Sequence, residues 1–338
     1  MNRRDFLLRC SALSLTAGAA AIVSPSLAWC SNRLQPGGHR VERTKLGMGT
    51  FVTVAAVHQS GQAAGEAVEA AFAEMDRLQA VLSRYDESSA LFALNNDGRI
   101  MDAPSPLAEV VDHGLRLHRL TSGGFDPTVA PVVDLLRSRM NPEAEMQLSA
   151  AEVRAAVART GPDKVCIQGR DIAFAAEGAA LTLDGVAKGY IVDRMSEALA
   201  AAGVADHLVN AGGDVRTSGR PAPGQAWRVG LQDPVRGGVK RTLRLRHGGL
   251  ATSGGYANFY GRSRAHHHIV KPGSGASPNE LASATVFAPT VQEADGLSTA
   301  CMVLGLRRGS QLIASLPGRE ACFVLPSGAA SATPGFPA

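Results

Sequence analysis

The chain has 338 residues, 45 % of them hydrophobic and 19 % charged, with a formal net charge of +4. That length and apolar content suffice for a substantial core in one large domain or two small ones. No long like-charge block is present, which excludes a solvating tail, and near-neutrality removes the charge argument for nucleic-acid binding.

Asn2-Arg3-Arg4-Asp5-Phe6-Leu7-Leu8 opens the chain, an uncharged apolar run follows from Ser11 to Val23, and Pro25-Ser26-Leu27-Ala28 fits an A-x-A-like cleavage site. The pattern reads as a twin-arginine signal peptide over 1–28, too short for a membrane span; the alternative is a buried N-terminal helix. Arg3, Arg4 and Arg9 against Asp5 account for two of the four net charges, leaving +2 after cleavage. Twin-arginine export carries folded proteins, so the mature protein is expected in the periplasm. A lipid anchor at Cys30 is not expected, because Trp29 stands where a lipoprotein box needs a small residue. Of the five cysteines, Cys10 leaves with the signal. Cys30, Cys166, Cys301 and Cys322 match no metal spacing; Cys166 and Cys322, in apolar runs, read as core. An oxidising compartment permits a disulfide, which the sequence does not assign.

Residues 29–40, rich in Gly, Pro, Ser and Asn, read as a linker, and one domain over 41–325 follows. Thr50–Val57 reads as a strand. Val68, Ala71, Phe72, Met75, Leu78 and Leu82 share a helical face. Ser105-Pro106 opens a second helix as N-cap and first residue, stopped by Ser122-Gly123-Gly124. Ser149 and Glu152 form a capping box for a third. A fourth spans about 187–202 and ends at Gly203. His207–Asn210 and Trp227–Leu231 read as strands, a last helix covers about 293–304 before Gly305, and the Ser/Ala/Gly/Pro tail over 326–338 is expected to be disordered. Alternating helices and strands indicate an α/β or α+β domain.

The chain contains neither G-x-x-x-x-G-K-[ST] nor a post-strand G-x-G-x-x-G, and neither G-x-S-x-G nor H-E-x-x-H, which argues against P-loop, Rossmann, α/β-hydrolase and zincin chemistry. It contains instead a series of glycine-bearing polar segments between apolar runs: Leu46–Thr50, Gly123–Pro127, Leu183–Tyr190, Asn210–Asp214, Ala251–Tyr256 and Ala294–Thr299. Backbone amides at such turns and helix starts can hold phosphate oxygens, although one such segment alone is ordinary turn geometry.

Taken in order, these segments resemble the ApbE family from about Leu46 to Gly305. The resemblance rests on Met48-Gly49-Thr50, Leu82–Asp86 with Leu94-Asn95, Phe125-Asp126-Pro127, Gly185–Tyr190, Asn210–Asp214, Ala251–Gly254, His268-Ile269 with Pro272 and Gly275, and Ala294–Ala300. It implies an α+β domain with mixed or antiparallel sheets flanked by helices, and a Mg²⁺-dependent FAD:protein FMN transferase that consumes FAD as substrate. On the same resemblance, the backbone carbonyl of Gly185 with Asp295, Ser298 and Thr299 would hold the Mg²⁺. Asp295 and Thr299 share a helical face, and hard oxygen ligands with few carboxylates suit this ion. Read by itself, Asp295 fits better as a first-turn partner of its helix dipole than as a metal ligand. Met48, Tyr85, Gly124, Phe125, Asp126, Thr182, Lys188 and Ile269 match FAD-holding positions, although Met48, Phe125 and Ile269 also suit a core and Tyr85 a surface. Lys188 at a helix start opposes the dipole, which favours an anionic neighbour. His268 is the general-base candidate; its place in the run His266–His268 also suits a surface patch. Two departures stand out: Thr182 replaces a frequent acidic residue, with Asp184 two positions on, and Lys271 replaces a frequent Asp before the proline.

The resemblance implies attack by a Thr or Ser hydroxyl of an acceptor flavoprotein on the FMN-side phosphorus, with AMP leaving. The acceptor is expected in the periplasm or membrane, in an electron-transfer chain. The twin-arginine signal and the motif dialect are similar to the NosX branch, which serves nitrous oxide respiration. Two rival readings keep the same motifs: a periplasmic FAD pyrophosphatase and a non-catalytic FAD carrier.

Overall fold

A computed structural model describes residues 38–141 and 143–338. The segments read as signal peptide, and all but the last three residues of the expected linker, lie outside the described residues. Of those three, His39 and Arg40 already belong to the first strand.

The chain begins with the hairpin β1 (His39–Gly47) and β2 (Thr50–His58). Helix α1 (Gly61–Leu82) follows, capped by the Ser60 hydroxyl, which accepts from the Ala63 amide. Its buried residues include all six that define the predicted apolar face. Then come α2 (Ala90–Asp97), β3 (Arg99–Ile100), α3 (Ser105–Leu120), α4 (Ala130–Ser138) and α5 (Ala150–Val157). The capping box at Ser149 and Glu152 is formed in both directions. At α3 the N-cap is Pro104 rather than Ser105, which is the first helical residue. Strands β4 (Val165–Gln168) and β5 (Asp171–Phe174) precede α6 (Ala187–Ala201). Strands β6 (Asp206–Ala211), β7 (Asp214–Ser218), β8 (Trp227–Gln232), β9 (Val239–Leu245) and β10 (Gly248–Gly254) come next. Two short strands, β11 (Phe259–Tyr260) and β12 (His266–His267), lead to β13 (Ser283–Ala288), α7 (Val291–Ala314), β14 (Glu320–Val324) and β15 (Ala330–Ala332). Gly305 does break α7, with φ 75°, but the chain resumes the helix beyond it while Glu280 accepts from the Leu306 amide.

Eight strands form one sheet in the order β1-β2-β6-β7-β10-β13-β14-β15, every neighbouring pair antiparallel. Because successive strand residues point to opposite faces, this sheet has two distinct sides. Val52, Val54, Val209, Ala251, Ala284 and Val286 join the main core with α1, α6 and α7. Ala55, Leu208, Val215 and Leu250 face the other way and are covered by the β8–β9 hairpin through Trp227, Val229, Leu231, Leu243 and Leu245. Helices α4 and α5 build a third cluster with Tyr260 and Val270.

The C-terminal residues correct the expectation of disorder. Strand β15 pairs with β14, and Phe336 is buried in the hairpin-side core. Low apolar content over 326–338 misleads because one aromatic and one sheet edge suffice to hold the segment. Cys166 is exposed, against the core reading, whereas Cys301 and Cys322 are buried; all three are free thiols.

Candidate functional site

The site lies where α6 crosses α7. A side chain at Gly189 would put its Cβ 2.5 Å from the Val291 carbonyl oxygen and 2.7 Å from the Gln292 nitrogen, so only glycine lets the first turns of the two helices touch. Asp193, also on α6, caps α7 by accepting from the Val291 amide at 3.0 Å and the Gln292 amide at 2.9 Å. This crossing brings Asp295, 4 % exposed, against α6, where its Oδ2 accepts from the Gly189 amide at 3.2 Å.

One helical turn on, three hydroxyls form a chain. Ser298 donates to the Asp295 carbonyl at 2.9 Å, Ser253 lies 2.7 Å from Ser298, and Thr299 lies 3.0 Å from Ser253. Each hydroxyl has one proton. With Ser298 spent on its own helix, Ser253 donates to Ser298 and Thr299 to Ser253. The same Thr299 Oγ1 lies beside Gly185, 3.0 Å from where an added Cβ would sit. The Gly185 backbone, Thr299 Oγ1 and the Asp295 carboxylate thus form a set of hard oxygen donors, with Ser298 bound in behind them.

Charge balance at this place is unusual. Lys188 donates to Asp214 at 2.5 Å, and Asp214 is 1 % exposed. Burial alone would lower the Lys188 pKa, but Asp214 and Asp295 outweigh it and the ammonium is held firmly protonated. The Asp295 carboxyl is pushed well above the usual carboxylate range, first by burial and then by Asp214, against the pull of Lys188. The hydrogen-bonded partner of Lys188 is Asp214, and a cation beside the buried Asp295 carboxyl would favour its ionised form. Among the described residues no group of three or more His, Cys, Asp or Glu side chains could hold a metal. One carboxylate with hydroxyl and carbonyl oxygens is nevertheless a donor set that suits Mg²⁺, which keeps waters and ligand oxygens in its shell.

The loop before α6 is pinned from two sides. Asn95 mimics a strand, donating to the Leu181 carbonyl at 2.9 Å and accepting from the Leu181 amide at 2.8 Å. Thr182 donates its amide to the Pro127 carbonyl at 2.8 Å, which ties this loop to the Phe125–Pro127 turn. The Thr182 hydroxyl faces the Asp184 amide at 3.4 Å. Asp184 accepts from the Tyr85 hydroxyl at 3.1 Å, and the exposed Tyr85 ring has the Arg137 guanidinium 4.6 Å from its centroid.

His268 joins this group and His267 does not. His267 is buried, with Nε2 donating to the Pro278 carbonyl and Nδ1 accepting from the Ile269 amide, a closed structural role. His268 Nδ1 lies 3.1 Å from the Asn258 carbonyl and donates to it, which fixes the tautomer and leaves Nε2 as the acceptor. Burial lowers the His268 pKa, against the opposing pull of Asn258 and Asp184, and Lys188 lowers it further. The imidazole is therefore neutral at neutral pH and able to take a proton.

Of the other expected residues, Phe125 is the one placed against Gly185, and the rest are held by contacts of their own. Met48 occupies the β1–β2 turn with φ 50°, and its amide donates to Gln79 of α1 at 2.6 Å. Phe125 packs beside Gly185, and Gly124 lies so close to Leu304 that an added Cβ would be 2.9 Å from it. Ile269 is buried in the main core. Asp126 Oδ1 is engaged by the amide and hydroxyl of Thr128, so that oxygen serves the turn. Sequence reasoning missed Asp214 as the partner of Lys188, Ser253 as the bridge and Asn258 as the tautomer lock. Asp214 and Ser253 lie within segments already singled out for their glycines, and only the fold shows what their side chains meet.

A family model described as the ApbE family matches residues 48–323. The FAD:protein FMN transferase of Salmonella typhimurium is 30 % identical over 276 residues, covering 79 % of each chain. The ApbE protein of Thermotoga maritima has a solved structure similar to this one with a TM-score of 0.81 at 27 % identity, covering 88 % of this chain and 98 % of that one. The flavin transferase ApbE of Vibrio cholerae gives a TM-score of 0.77 at 26 % identity over the same shares.

Proposed function

The chain belongs to the ApbE family, and from that membership we propose that it is an FAD:protein FMN transferase. The observation that carries this reading is the convergence of Asp295, Thr299 and the Gly185 backbone with the Lys188–Asp214 pair and the neutral His268. Gly185, Asp295 and Thr299 would hold Mg²⁺, with Ser298 and Ser253 orienting Thr299. The chemistry supplied by the ion is neutralisation of charge on the pyrophosphate. The Lys188 ammonium, fixed by Asp214, binds phosphate oxygens. His268 Nε2 accepts the proton of the acceptor Thr or Ser hydroxyl as that oxygen attacks the FMN-side phosphorus. The P–O bond to AMP breaks, and the FMN phosphoester forms. The buried walls at Phe125 and Ile269 exclude water from the reacting atoms. Met48, Tyr85, Gly124, Asp126 and Thr182 belong to the proposed FAD surface.

The twin-arginine pattern in 1–28 supports a periplasmic enzyme whose acceptor is a flavoprotein of an electron-transfer chain. The test is the intact mass of an acceptor domain carrying a Ser/Thr target, incubated with the protein, FAD and Mg²⁺. A gain of one covalent FMN, lost on chelation, is the expected result. AMP with free FMN and no mass gain would make the enzyme a pyrophosphatase on that acceptor, and no AMP at all would overturn the catalytic reading.

A further inference from the structure

The β8–β9 hairpin carries a charge distribution that the rest of the chain does not share. Between Trp227 and His247 stand Arg228, Arg236, Lys240, Arg241, Arg244 and Arg246 against Asp233 alone. These 21 residues hold a net +5, where the whole chain holds +4, so the remainder is slightly acidic. Alternation sorts the hairpin into two faces. Trp227, Val229, Leu231, Leu243 and Leu245 are buried on the sheet, while Arg228 and Arg244 stand exposed on the other side. The register sets Arg228 directly opposite Arg244, a like-charge pair that costs stability. The side chains of Arg228, Arg236, Arg244 and Arg246 have no hydrogen bond or ion pair among the described residues, whereas Lys240 is paired to Asp233.

The tip of the same hairpin is apolar and preorganised. Asp233 Oδ1 accepts from the amides of Val235 at 2.9 Å and Arg236 at 3.0 Å, and Gly237 and Gly238 take the left-handed φ that closes the turn. This fixed turn presents Val235 at 46 % and Val239 at 54 % exposure. Apolar residues at a rigid tip, with unpaired arginines behind them, fit one kind of partner. The valines enter the headgroup boundary while the guanidinium groups meet lipid phosphates. Among the described residues no helix is long and apolar enough to cross a membrane, so such contact would be peripheral.

We propose that the β8–β9 hairpin docks the protein onto an anionic phospholipid surface through Arg228, Arg236, Arg244 and Arg246, with Val235 and Val239 as the inserting tip. An acidic protein surface would satisfy the arginines but gives no account of the exposed valines.

The test is co-sedimentation of the purified protein with vesicles of phosphatidylcholine, with and without phosphatidylglycerol, over a salt series. The proposal expects binding only to the anionic vesicles, weakening as salt rises. Combined R228E, R244E and R246E should cut binding at least about tenfold. A control reversing Arg154, Arg307 and Arg308, exposed on α5 and α7, carries the same change in net charge and should bind like the parent. Val235→Ser with Val239→Ser should weaken binding by about tenfold or less. Equal loss in the control, or no vesicle binding by the parent, would overturn the proposal. Binding of poly-glutamate through the same arginines, with vesicles ignored, would overturn it in favour of an acidic protein partner.

Discussion

The two faces of the eight-stranded sheet are built on opposite principles. The helical face approaches its cover through glycine. Gly189 lets α6 touch α7, and at Gly249 an added Cβ would lie 2.4 Å from the Val291 nitrogen. Backbone that close brings buried polar groups together, which is how Asp295, Ser298 and Thr299 come to share one small volume. The hairpin face is packed through Trp227, Val229, Leu243 and Leu245, an apolar cluster. One face spends packing quality on chemistry, and the other spends its outer surface on charge. Substitutions on the two faces should therefore separate activity from stability.

The largest effect is expected at His268. His268→Ala removes the proton acceptor and should lower the transfer rate by about 10²–10⁴-fold, with FAD binding preserved; stopped-time AMP release and equilibrium FAD titration check the split. Leu243→Ala, on the other face, should cost about 2–5 kcal/mol in urea unfolding with the transfer rate per folded molecule unchanged. Gly189→Ala would break the contrast, because its Cβ meets backbone rather than a movable side chain. It should cost about 1–3 kcal/mol and also depress transfer, by separating α6 from Asp295.

Acid should act more gently. Burial drives the His113 pKa from 6.5 down to about 4, with Arg116 adding to the effect and Nε2 left without a partner. The unfolded chain then binds this proton before the folded one does. Stability from this group is complete above about pH 6.5 and is lost as pH falls toward about 4; His207 and His267, also lowered by burial, act in the same sense. Chemical unfolding at pH 7 and pH 5 should show the loss, and His113→Gln should flatten it.

Much of the frame is legible in the sequence because local rules govern it. The capping box at Ser149, the stop at Gly203 and the six-residue face of α1 depend only on neighbours along the chain. The mixed α and β architecture follows from alternation, the antiparallel pairing only from the resemblance to the family, and the solved relatives share the fold. What stays hidden is non-local. Nothing in Asn210–Asp214 announces that Asp214 meets Lys188, because the contact exists only once β7 lies beside α6. The three consecutive histidines look alike in sequence, and only their partners in the fold separate the structural His267, with both ring nitrogens engaged, from His268. The cationic hairpin disappears into a near-neutral total, and the tail at 326–338 reads as disordered until Phe336 finds its pocket. Cys166 misleads for a related reason: β4 belongs to a three-stranded sheet, and its outer face is open to solvent.

The central claim is that chemistry resides on the helical face at Asp295. The most direct test is the intact-mass transfer assay in solution, run side by side on Asp295→Asn and on the R228E, R244E and R246E variant, each across a Mg²⁺ titration. The account predicts that Asp295→Asn loses transfer by at least about a hundredfold at any Mg²⁺ concentration, while the hairpin variant labels the acceptor at the parent rate. Full transfer by Asp295→Asn at ordinary Mg²⁺ would contradict it.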